Sequence, residues 1–164
     1  MKLHNGTIFC SIIFLRITSL YFLYFMYAIS LLQPWATLVI IGAKTIETRS
    51  WSTRHRGEIL IHASQGKAGE IFCDDPPFKK YIANFKKLPF GAIIGKVTID
   101  KILRVEDFDL TDTDMNTLTM EEKAFGDYSS GRYGWLLLDP VQFIKPIPAR
   151  GMPGLWKFNN ENQI

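Results

Sequence analysis

The stretch GAIIGKVTIDKILRV, Gly91 to Val105, is dense in β-branched residues, which are stiff at χ1 and fit a pleated sheet. It predicts one long strand, bulged at Gly95, since a glycine inside a strand marks a bulge or a close backbone approach. A strand of that length needs partners. The sequence offers several short ones: YAISL (27–31), EILIHA (58–63), YGWLLLD (133–139), VQFIKPI (141–147) and GLWKF (154–158). Gly57 and Gly66 bound the second, while Asp139-Pro140 and the prolines between 146 and 153 separate the last three.

Helical signals are few. Pro34 opens PWATLVIIG and Gly42 ends it, the expected proline and glycine punctuation. Lys67 to Lys87 reads as helical at both ends and broken at Pro76 and Pro77. Thr119 to Phe125 reads as a short helix, with Thr119 and Glu122 spaced as a capping box. Thr45 to Trp51 alternates loosely and predicts a strand with Ile46 inward and Glu47, Arg49 and Trp51 on the opposite side. The pattern predicts an α+β fold, a small β-barrel of about six strands with short flanking helices.

At 164 residues the chain suits one domain with a sizeable core. Apolar residues at 47% and charged residues at 21% place it among globular chains. The net charge of +3 owes much to Lys2 and Arg16, which lie in a stretch without acids; the rest holds 17 basic against 16 acidic residues. Distribution matters more than the total. Lys44, Arg49, Arg54, Arg56 and Lys67 face only Glu47 and Glu58 between Gly42 and Lys67, whereas Glu106 to Glu122 carries seven carboxylates and no base. Cys10 and Cys73 make no disulfide framework, and His4, His55 and His62 have no metal-ligand spacing. No GxGxxG, Walker, GxSxG or HExxH motif occurs. Neither a metal nor a cofactor is predicted.

Residues 7–25, TIFCSIIFLRITSLYFLYF, are almost continuously apolar. Arg16 interrupts them, at a cost of about 2.5 to 3.5 kcal/mol in a bilayer centre, and Ile17 to Met26 is too short to span. An anchor helix, an uncleaved signal and an upstream extension before a domain beginning at Met26 are the alternatives. The third is favoured, with residues 1–25 as extension, 26–158 as domain and 159–164 as tail. The expected compartment is cytoplasmic, or membrane-associated if residues 1–25 form an anchor.

The stretch GAKTIETRSW, Gly42 to Trp51, spells GxKxxExR through Gly42, Lys44, Glu47 and Arg49. Together with ISLLQPWATL, ILIHAS, FGDYSSGRYGWLL and GMPGLWKF, it resembles the ASCH family, domains homologous to part of a human transcription coactivator and grouped with the PUA-like folds. The resemblance runs from Met26 to about Phe158, and these segments are similar to small bacterial members. It implies a PUA-like β-barrel with a cleft beside the motif, and RNA or a modified nucleoside as partner. Some small members are amidohydrolases of acetylated cytidine that use the motif Lys, a Thr three residues later and a Glu elsewhere. Here that position is Glu47, which disfavours this activity. Other members are linked to ribonuclease activity.

Lys44 and Arg49 can each contact phosphate, as a point charge and as a planar fork. Glu47 either holds their geometry as an ion pair or accepts a proton from a ribose hydroxyl. Trp35 and Trp51 flank the motif as stacking candidates, Arg132 and Tyr133 follow a turn that could reach the cleft, and Trp135 reads as core. His62 reads as a satisfied interior or rim histidine, with a general-base role if it faces Lys44 and Glu47. Two functions follow. The first is a module binding RNA or a modified nucleoside through Lys44, Arg49, Trp35, Trp51, Arg132 and Tyr133. The alternative is a metal-independent hydrolase of RNA or an acylated nucleoside, with Lys44 and Glu47 catalytic.

Overall fold

A computed structural model of the protein describes residues 26–108 and 118–159. The extension assigned to residues 1–25, residues 109–117 of the acidic stretch and residues 160–164 of the tail lie outside the described residues. Six strands form a single sheet: β1 (Tyr27–Leu31), β2 (Ile46–Arg49), β3 (Gly57–Ala63), β4 (Ala92–Arg104), β5 (Tyr133–Pro148) and β6 (Leu155–Lys157). Their order is β2-β5-β4-β3-β1-β6. β1 runs parallel to β3, and the other pairings are antiparallel. The sheet curls into a half-barrel carrying a few short helices, an α+β fold of the PUA-like kind.

The curl is written into β4 and β5. Asp139 takes a φ of 50°, and the register of β5 on β4 shifts three times along their length. Such irregularities bend a strand and raise its local twist without ending it. YGWLLLD and VQFIKPI are therefore one strand of sixteen residues rather than two, because pairing with β4 continues past Asp139-Pro140. The Gly95 expectation also has a structural cause. A β-carbon there would lie 2.3 Å from the Val141 carbonyl oxygen and 2.7 Å from Ile40, so only glycine admits this approach.

Helix α1 (Trp35–Ile40) lies against the sheet. Its Val39 and Ile40 join Ile29, Ile59, Ile61, Val97 and Trp135 in the main core. Leu38 turns to a second cluster with Phe78, Ile82 and Phe125. This cluster fastens α2 (Pro76–Lys79) and the end of α3 (Met120–Ala124). Pro76 and Pro77 begin α2 instead of merely breaking a helix, since the first helical turn needs no amide donors. The segments on either side are 3₁₀ turns, Ala68–Phe72 and Phe85–Lys87.

β2 departs from its expected orientation. Glu47 lies opposite Trp135 and Arg49 opposite Tyr133 in the ladder, and directly opposed residues share a face. Glu47 and Arg49 thus stand on the side of the main core, while Ile46 turns to the reverse face. There Phe108 and Leu118 bury it. Both sides of β2 are covered, so inward and outward cannot be assigned from polarity.

Candidate functional site

A cleft of about 480 Å³ opens beside β2. Glu47, Thr48 and Arg49 form one side; Ser30 to Leu32, Trp35 and Phe72 form another; Phe125 to Asp127, just after α3, complete it. Glu47 and Arg49 are two residues apart on a strand and point the same way. Their Oε1 and Nε atoms are 3.0 Å apart. Arg49 also donates from Nη2 to the Ser30 carbonyl at 3.1 Å. β2 is the first strand in the sheet order and β1 the fifth, so this side chain reaches across the mouth of the half-barrel.

Trp35 is held edge-on by Phe72, with ring centroids 5.2 Å apart, and by Phe78 at 5.8 Å. Gly69 presses on it from behind: a β-carbon there would come within 2.7 Å of the indole and 2.0 Å of the Gln33 carbonyl oxygen. The opposite wall is fixed by hydrogen bonds. Thr48 Oγ1 accepts from the Asp127 amide at 3.1 Å. Arg132 pairs with Asp127 at 3.3 Å and donates to the Thr48 carbonyl at 3.4 Å.

Lys44 is not in this cleft. It is fully buried, donates to the Ile46 carbonyl and lies 3.4 Å from Glu122 Oε1. The Glu122 carboxylate also accepts from the Thr45 amide at 2.8 Å, Thr45 Oγ1 at 3.1 Å, the Ile46 amide at 3.3 Å and the Tyr128 hydroxyl at 3.2 Å. Burial, the Glu122 charge and its hydrogen bond push the Tyr128 phenol well above its ordinary pKa. Thr119 caps the amide of Glu122 as expected. The Glu122 side chain, however, reaches the start of β2 instead of completing the capping box.

The motif is therefore divided. Glu47 and Arg49 line the cleft, and Lys44 sits behind the strand with Glu122. Trp51 packs edge-on against Trp135, ring centroids 4.8 Å apart, and belongs to the core side of β2. Tyr133 also packs against the core, with the Arg104 guanidinium 5.6 Å from its ring. Arg132 touches the cleft only through Asp127 and Thr48. Sequence reading missed Glu122 as a partner of Lys44, and missed Ser30, Thr48, Phe72 and Asp127 as lining. Glu122 carried a signal in its spacing from Thr119, and Ser30, Thr48 and Asp127 lay inside the segments that carry the resemblance without a role being read from them; Phe72 carried none.

His62 does not face Lys44 and Glu47. It is buried beneath the chain after β5, with Nε2 donating to the Ala149 carbonyl at 3.0 Å and Nδ1 3.1 Å from Ser30 Oγ. Burial pushes its pKa below 6.5, and the Ala149 carbonyl opposes this in part. In acid the unfolded chain then takes the proton first, so the stabilisation is complete above about pH 6.5 and is lost as pH falls through the folded value. Urea midpoints measured from about pH 7.5 to pH 5 are expected to fall more steeply for the native chain than for His62→Gln. Parallel curves would contradict this.

The ASCH domain family model matches residues 29–146. The chain belongs to the ASCH family. Activating signal cointegrator 1 from Homo sapiens is 24% identical over 144 residues, and the Mus musculus protein is 25% identical. Each match covers 82% of this chain but 22% of the relative, so the ASCH chain here spans about a fifth of those proteins. Crystal structures of ASCH from Zymomonas mobilis share the fold. One mutant form gives a TM-score of 0.51 at 18% identity, covering 83% of this chain and 91% of that one. The unmutated protein gives 0.50 at 18%, covering 83% and 89%. Among the described residues of this ASCH domain, no helix is long and apolar enough to cross a membrane.

Proposed function

We propose that the cleft beside β2 binds the base of an RNA nucleotide or of a modified nucleoside. The supporting observation is the Glu47–Arg49 pair standing beside the fixed aromatic edge of Trp35 and Phe72. A base has a π-face for the aromatic wall and an edge of donors and acceptors for a carboxylate and a guanidinium. The ionic groups at this cleft are already paired, Glu47 with Arg49 and Asp127 with Arg132. The recognition is accordingly of an uncharged base edge, and Lys44 and Glu122 serve as positioning residues that hold β2.

Stacking contributes about 1 to 3 kcal/mol per base, so Trp35→Ala is expected to weaken binding of a cytidine tetranucleotide by roughly tenfold or more. Glu47→Gln should weaken it less and alter the preference among bases. The measurement is titration calorimetry with cytidine, N4-acetylcytidine, the other nucleosides and short RNAs. If Trp35→Ala folds normally and binds each of them as tightly as the native chain, the cleft is not a base site.

A second reading, hydrolysis of RNA or an acylated nucleoside, draws on Glu47 alone. It is a cleft-lining carboxylate whose side chain keeps 12% exposure and has a guanidinium beside it, an arrangement able to take a proton and steady developing negative charge. Turnover that persists in excess chelator and disappears in Glu47→Gln would favour this reading over binding alone.

A further inference from the structure

A second cavity, about 730 Å³, lies on the other side of Ser30, which lines both. Its chemistry differs from that of the cleft. No carboxylate lines it among the described residues, while Ser64, Gln65 and Arg150 do. Arg150 is exposed and has no ion pair or hydrogen bond among the described residues. The Ser64 hydroxyl oxygen is buried and likewise lacks a partner there. A buried hydroxyl without a hydrogen bond is costly, and a turn about χ1 towards the cavity would let it pair with an occupant.

The back wall is rigid. Ser30 Oγ accepts from Trp156 Nε1 at 3.2 Å and lies 3.1 Å from the Met152 carbonyl oxygen. His62 is held between Ser30 and Ala149. A β-carbon on Gly151 would fall within 2.4 to 2.7 Å of His62 and Ser30, so the loop after β5 rests directly on them. Arg150 is carried by that loop at the rim.

The geometry points to a phosphate-binding subsite made by Arg150, Ser64 and Gln65, adjoining the base cleft at Ser30. It takes a phosphate of the nucleotide whose base occupies the first cleft, and so rests on that reading for its biological ligand. A planar guanidinium, a hydroxyl and an amide with no competing carboxylate are donors suited to phosphate oxygens. The division of labour is also consistent: the charges at the first cleft are paired internally, whereas the cation at the second is free to meet an anion.

Three probes test this on the whole 164-residue chain: inorganic phosphate, cytidine and a cytidine tetranucleotide of RNA. Phosphate is expected to shift the NMR amide signals of Ser64, Gln65 and Arg150. Arg150→Ala should weaken both phosphate and tetranucleotide by about tenfold, as loss of one charge-assisted contact does, and leave cytidine unchanged. Arg150→Lys should retain most of the phosphate affinity, and Ser64→Ala should lose about threefold. Phosphate binding unchanged in Arg150→Ala, or shifts confined to other residues, would overturn the subsite and leave the base cleft standing. If cytidine fails to bind the native chain while phosphate binding still depends on Arg150, the base reading fails and the subsite stands.

Discussion

Glu122→Ala is expected to lower stability by about 3 to 5 kcal/mol, the range for removing one partner of a buried charge pair. The residue is 6% exposed, and its loss leaves Lys44, 1% exposed, without its counter-charge. It also strips acceptors from the Thr45 and Ile46 amides, which lead the chain into β2. For a domain of this size the melting temperature should drop by roughly 10 °C or more. Glu122→Gln keeps the shape and some acceptors, so a smaller loss is expected. Lys44→Met combined with Glu122→Gln should recover part of it, because no buried charge then remains. The measurement is urea unfolding of the four proteins; a loss under about 1 kcal/mol in Glu122→Ala would mean that water or a rotamer change satisfies Lys44.

Trp135→Ala should be comparably damaging, at about 3 to 5 kcal/mol. Its side chain is fully buried, is braced by Trp51 and lies opposite Glu47 in the ladder. The cavity left behind would sit next to the strand that carries Glu47 and Arg49. Base binding is therefore expected to fall along with stability, although Trp135 does not line the cleft. Trp135→Phe retains most of the volume and should lose less in both. Should Trp135→Ala unfold at the native urea midpoint, the core would have to be far more compliant than close packing allows.

The strands were legible because β-branched density and glycine or proline punctuation are local properties. Gly91 to Val105 could be read as a long strand without knowing its neighbours. The join at Asp139-Pro140 could not, since whether a proline ends a strand depends on the partner, and β4 continues beside it. The orientation of β2 was hidden for a related reason: Ile46 is buried by Phe108 and Leu118, far away in sequence. Glu47 and Arg49 could be recognised as a pair from period two and resemblance. The separation of Lys44 from them could not, because it depends on Glu122, 78 positions later. Of the second-cavity residues, Ser64 ends the ILIHAS segment and Arg150 lies in none of the resembling segments, and only the fold brings them together.

The short strand β6 has a consequence for how the molecule assembles. β1 precedes every other described strand, yet one of its two ladder partners, β6, follows all of them, and Trp156 meets Ser30 across 126 positions. Contacts so distant in sequence form slowly. On the ribosome, the edge of β1 from Tyr27 to Ile29 should stay unpaired until β6 has emerged. An exposed strand edge of that kind is open to pairing with another chain.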